Sequence, residues 1–192
     1  MEALFAIFSA FGLSASAGLN AYIPLLVVAL MARFTDLIKL SSPYGALTNW
    51  WIIGLLVFLS IIEFLVDKFP VINHINDFIL QTFIRPAAGA IVFAASTNVI
   101  SNIHPVLALA LGLLVAGSVH AVKTTAVRPS VTAATGGAGN IPVSLAEEAT
   151  STTVSILSVV VPVAAFILVL LFLSWAIWHY SDRRKRKPKL GD

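Results

Sequence analysis

The chain contains no cysteine, which excludes disulfides, thiolate catalysis and iron–sulfur or cysteine-zinc sites. Charge is nearly as scarce. Asp, Glu, Lys and Arg make up 11% of 192 residues, against about 25% in an ordinary soluble domain. No two of the four histidines have zinc-ligand spacing, and no carboxylate pair is placed for hydrolysis. No metal, no cofactor and no catalytic residue is therefore expected. A separate polar block that could form a soluble domain is also missing.

What is present is apolar. Hydrophobic residues account for 58% of the chain and the mean hydropathy is +0.94, so the polar groups cannot cover the apolar surface. The length allows about five to seven passes of roughly 20 residues each. The expected fold class is all-α: a polytopic transmembrane helical bundle with broken or re-entrant helices, built as a single domain over residues 1–180. The net charge of +3 is concentrated in Arg183, Arg184, Lys185, Arg186, Lys187 and Lys189. Placed just after the last apolar run, these make residues 181–192 a basic cytoplasmic tail that sets orientation and contacts headgroups, rather than a nucleic-acid arm. A bacterial cytoplasmic (inner) membrane location follows as an expectation, with membrane lipids as partners, no nucleic acid, and a homo-oligomer as a further partner class.

Uncharged tracts and turn signals place the candidate spans at residues 3–32, 50–66, 86–101, 105–122 and 149–180. The first follows only Met1-Glu2 and lacks the basic start and cleavage pattern of a secretory signal, so it is expected to remain in the mature protein. Trp50 and Trp51 anchor the second at an interface, and Trp175, Trp178 and Tyr180 close the last. Pro162 is expected to kink that last span. Ser101-Asn102-Ile103-His104-Pro105 splits 86–122 into a hairpin with arms of about 16 and 18 residues, rising about 24 and 27 Å. Residues 67–83 read as an interfacial helix. Residues 123–148, with their Thr, Gly and Pro, read as an irregular or re-entrant segment.

Two Arg-Pro steps, Arg85-Pro86 and Arg128-Pro129, flank these tracts. A guanidinium beside hydrocarbon is costly, about 2.5–3.5 kcal/mol at a helix centre on insertion scales, and normally faces a protein interior or a wet cavity. Proline suits a first helical turn, so each arginine is expected at a helix N-terminus, where unpaired N–H groups also favour an anion. A hairpin over 86–122 would return Arg85 and the Lys123/Arg128 pair to one side of the bilayer, where they can converge. The alternative is separate ion pairs: Arg85 with Asp77 or Asp67, Arg128 with Glu147 or Glu148, and Glu63 with Lys123. Glu147-Glu148 is expected to begin the last helix as a charge cap.

Interrupted helices are the other signal. Ser14 to Pro24 puts small residues, Asn20 and a proline near the middle of a span-length run, where free backbone groups can hold ions. Close packing against another helix is the plainer explanation. Gly54-Leu55-Leu56-Val57 with Ser60 recurs as Gly112-Leu113-Leu114-Val115 with Ser118, each leading to an Arg-Pro step, which reads as a candidate internal repeat.

At Gly18-Leu19-Asn20-Ala21-Tyr22-Ile23-Pro24-Leu25-Leu26, Asn76-Asp77 and Ile84-Arg85-Pro86-Ala87-Ala88-Gly89-Ala90, the sequence resembles an uncharacterised bacterial family of multi-pass membrane proteins, the domain of unknown function family 4126. That resemblance covers most of the chain and implies membrane residence and a shared architecture, with no activity attached. In plan alone, the Gly-Gly stretch and intramembrane prolines are similar to re-entrant-loop transporters of polyprenyl phosphate lipids.

The functional expectation is a small transporter or flippase for an anionic solute or lipid headgroup. Arg85, Arg128, Lys123, Asn20, Asn140 and Asp77 are the candidate substrate-binding residues, and Glu63, Glu147, Glu148 and His120 the candidates for coupling or gating. The rivals are a membrane-embedded enzyme acting on a lipid or isoprenoid, and a non-catalytic channel or assembly subunit.

Overall fold

A computed structural model describes residues 2–66, 81–97 and 103–185. All regular secondary structure among them is helical: α1 (Glu2–Leu19), α2 (Tyr22–Phe34), a 3-10 turn (Tyr44–Thr48), α3 (Trp50–Val66), α4 (Gln81–Thr97), α5 (Pro105–Val122), a π turn (Lys123–Val127), α6 (Arg128–Thr135), α7 (Asn140–Val160) and α8 (Pro162–Lys185). The run Pro105–Thr135 is long and apolar enough to cross a membrane, whereas the other apolar helices are shorter. Asp77 and most of the expected interfacial helix 67–83 lie outside the described residues.

α1 is the hub, packing against α4, α5, α7 and α8. Its composition explains this role, because Ala10, Ser14, Ser16 and Ala17 are buried and small enough to let several helices approach. α4 and α5 approach closely at two glycines. A Cβ built on Gly89 would collide with Ala116, and one on Gly112 with the Gly89 carbonyl and the Phe93 side chain. Ring contacts lock the far end of α1, where Phe11 meets Phe93 edge-on at 5.1 Å and Phe8 stacks on Phe166 at 4.5 Å.

The tract 3–32 is not one interrupted span. α1 ends at Leu19, and the Asn20 side chain accepts from the N–H groups of Tyr22 at 3.1 Å and Ile23 at 3.0 Å. That cap starts a second helix in a new direction. Asp36 to Lys39, just past α2, share a cavity wall with Phe5, Ala6 and Ser9. α2 therefore returns alongside α1 as the second arm of a hairpin whose corner is Asn20-Ala21.

Three further expectations change. Arg85-Pro86 lies inside α4 rather than at its start. The ring removes one backbone bond, to the carbonyl of Thr82, but α4 continues through it. Residues 123–148 are helical apart from a turn in which Gly136 and Gly137 take positive φ. Threonines fit there because Thr124, Thr125 and Thr135 return their hydroxyls to carbonyls of the preceding turn, on His120, Ala121 and Val131. The tract 149–180 is broken at Val161 rather than kinked, and α7 begins at Asn140. Glu147 and Glu148 thus stand about two turns inside α7 and cannot act as an N-terminal charge cap. The two Gly-Leu-Leu-Val copies also differ, since Gly54 has open space around it and Gly112 sits tightly against the α4 backbone.

Ionisable and hydroxyl side chains are buried within an apolar core, and large apolar side chains are exposed. Arg85, Glu63, Lys123, Glu147, His120 and seven serines are buried, while Trp51, Leu55, Phe58, Leu114, Leu171 and Trp178 are exposed.

Candidate functional site

The α1–α2 corner gathers the ionisable interior. At the end of α1 the Leu19 carbonyl accepts from Lys123 Nζ at 3.1 Å. Two residues on, the Ala21 N–H donates to both Glu63 carboxylate oxygens, at 3.2 and 3.3 Å. The negative end of one helix dipole therefore meets a cation and the positive end of the next meets an anion.

Each capping charge has its own counter-ion. Glu63 Oε1 accepts from Arg85 Nε at 3.2 Å and NH2 at 3.0 Å. This pair is dry, with side-chain exposures of 0% for Arg85 and 4% for Glu63. On the other side of the corner Glu147 Oε2 lies 3.0 Å from Lys123 Nζ and 2.6 Å from Arg128 NH2. Arg128 Nε adds a contact to Oε1 at 3.3 Å, so this guanidinium grips the carboxylate with two nitrogens. Arg128 and Glu147 keep exposures of 15% and 10%.

Two cavities adjoin the corner on opposite sides. One of about 500 Å³ is lined by Leu19, Val119, Lys123, Glu147, Val154, Leu168 and their neighbours on α1, α5, α7 and α8. Its walls are almost wholly apolar apart from the two charged side chains. The other, about 370 Å³ between α2, α3 and α7, is lined by Asn20, Ser60, Glu148 and Thr152 among apolar residues. Adjacent carboxylates on α7 thus face different spaces.

Of the residues singled out in the sequence, the corner unites Asn20, Glu63, Arg85, Lys123, Arg128 and Glu147. Arg128 pairs with Glu147, one of the expected ion pairs, and Lys123 joins it there rather than on Glu63, which holds Arg85; Asp67 and Asp77, the expected partners of Arg85, lie outside the described residues. Asn20 caps a helix. His120 is buried in the last turn of α5, one turn before Lys123. Asn140 lies apart, its Oδ1 accepting from Thr132 Oγ1 at 3.2 Å, and ties α6 to α7. Arg128 does start α6, but the helical run is continuous from α5 through the π turn, so no open N-terminus stands beside it.

Residues that sequence reasoning passed over complete the site. Ser16 on α1 exchanges hydrogen bonds with Ser151 and Ser155 on α7, including hydroxyl contacts of 2.8 and 2.6 Å. Ser144, Ser151, Ser155 and Ser158 are all buried, and their spacing puts them on one helical stripe. That periodicity was available in the sequence as a small polar face inside an apolar tract.

The chain belongs to the family described as a domain of unknown function (DUF4126), whose model matches residues 7–182. No curated protein and no solved structure matches it.

Proposed function

We propose that this member of the family is a polytopic membrane protein of the bacterial inner membrane that moves an anionic solute or lipid headgroup across the bilayer. Lys123 and Arg128 are the anion-binding groups and Glu147 is the resident gate. The observation that carries the reading is the convergence of two cationic side chains on one carboxylate oxygen at a helix corner beside a cavity. Glu147 Oε2 occupies the place of an anion, and a ligand phosphate or carboxylate would take over its two partners. Opening then consists of Glu147 leaving and the corner, capped at both helix ends by charged side chains, moving with it. The Glu63–Arg85 pair anchors the opposite side.

Membrane residence is supported by the exposed Leu, Ile, Phe and Trp side chains of α3, α5 and α8 around an interior rich in small residues and buried polar groups. In water such a surface would drive aggregation. Arg33 lies over the Trp50 ring, 4.2 Å from its centroid, as a cation and an indole do at a lipid–water boundary. The basic tail supports a cytoplasmic side for the α8 end.

Reconstitution in liposomes tests the reading. Wild-type protein should accelerate flux of inorganic phosphate or of a fluorescent anionic lipid over protein-free vesicles. Arg128→Ala should lower that flux by about tenfold or more, a loss of about 1.4 kcal/mol, while the protein elutes as a folded species. Wild-type flux of both probes equal to that of empty vesicles refutes transport, and unchanged flux in Arg128→Ala removes the Lys123–Glu147–Arg128 triad from it.

A further inference from the structure

The cavity beside the triad narrows the substrate class, on the premise that the protein is a transporter. We infer that the space between α1, α5, α7 and α8 is a binding site for an anionic membrane lipid. Its headgroup meets Lys123 and Arg128, and an acyl chain lies against Val154, Leu168, Val169 and Phe172. The cavity has the size of an ordinary small-ligand site, about 500 Å³. Its chemistry is two-ended. Leu19, Val119, Val127, Val143, Val154, Leu168 and Val169 make the walls hydrocarbon, and the polar end is Lys123 with Glu147.

A free inorganic anion would gain nothing from that apolar length, and a neutral hydrocarbon would gain nothing from the charged end. Both charged groups are built in rather than incidental: Lys123 is 5% and Glu147 9% exposed, and each is fixed by a second contact, Lys123 to the Leu19 carbonyl and Glu147 to Arg128. The walls continue directly into lipid-facing surface, since Leu168 is half exposed and Phe172 partly so on the outer side of α8. A chain can therefore enter sideways from the bilayer without crossing a polar barrier. A phosphate or carboxylate at the charged end would accept from Lys123 Nζ and from the Arg128 fork, the contacts now made to Glu147.

The full chain in phosphatidylcholine nanodiscs provides the test. Phosphatidic acid carrying a photoactivatable group in its acyl chain should label α7 and α8 peptides containing Val154, Leu168 and Phe172. Unlabelled phosphatidic acid should compete, whereas inorganic phosphate should not. Val154→Trp or Leu168→Trp, which fill the cavity, should reduce labelling by about tenfold or more, and Leu114→Trp on the outer face of α5 should leave it unchanged. Equal labelling of these peptides by a phosphatidylcholine probe overturns the proposal in the wild-type protein alone, whether or not the variants fold. Displacement by inorganic phosphate assigns the charged end to a solute and overturns it as well. Loss of flux with labelling intact refutes the transport reading only, while phosphate flux with no specific labelling refutes only this lipid site.

Discussion

Two ion-paired groups flank one helix corner, and they differ in pairing, exposure and surroundings. Glu63–Arg85 joins one carboxylate to one guanidinium in a site closed to solvent, and the carboxylate also serves a backbone N–H. Lys123–Glu147–Arg128 sets two cations on one carboxylate, retains partial exposure and borders an apolar cavity. A pair sealed from its surroundings has no route by which a ligand could replace either member. A carboxylate shared by two cations at the edge of a cavity has one, which is why the substrate path is assigned to the second group.

The largest effect should come from breaking the dry pair. Arg85→Ala removes the guanidinium from the buried Glu63 carboxylate, and denaturation in detergent should show a loss of about 3–5 kcal/mol. A loss below about 1 kcal/mol would mean that the two groups are energetically alike and the contrast is wrong. Glu147→Gln should cost less, about 2 kcal/mol, because the amide oxygen can still accept from the two cations and Arg128 is partly exposed. The same variant should bind phosphatidic acid more tightly than wild type, measured by the same photolabelling titration. Weaker binding would make Glu147 a ligand partner instead of a gate. Smallest is Asn20→Ala, which removes the cap that starts α2 and should cost about 1 kcal/mol. Amide hydrogen exchange should then rise at Tyr22 and Ile23 while Phe93 in α4 stays protected. Uniformly faster exchange would show that the corner does not open by itself.

Much of this site was legible because charge is so sparse: with few ionisable side chains inside apolar tracts, Glu63, Arg85, Lys123, Arg128 and Glu147 had few partners to choose from. Their pairing was not legible. Arg85 could reach Glu63 only because α3 and α4 both bring an end to the α1–α2 corner, a tertiary fact that hydropathy does not encode. Asn20-Ala21 was readable as an interruption but not as a reversal, since a capped start fixes where a helix begins and packing fixes where it points. The helical character of residues 123–135 was missed because propensity scales penalise Thr for lost rotamer freedom and do not count hydroxyls that bond back to the previous turn.

The serine stripe on α7 bears on how such a gate could move. Ser151, Ser155 and Ser158 follow one another at intervals of four and three residues on the face that meets α1. If α7 slid along α1 by one turn, about 5.4 Å, a hydroxyl would again stand opposite Ser16, as it does now. Interlocked leucines would resist such a displacement through their shape; this seam offers equivalent resting positions to the segment that carries Glu147.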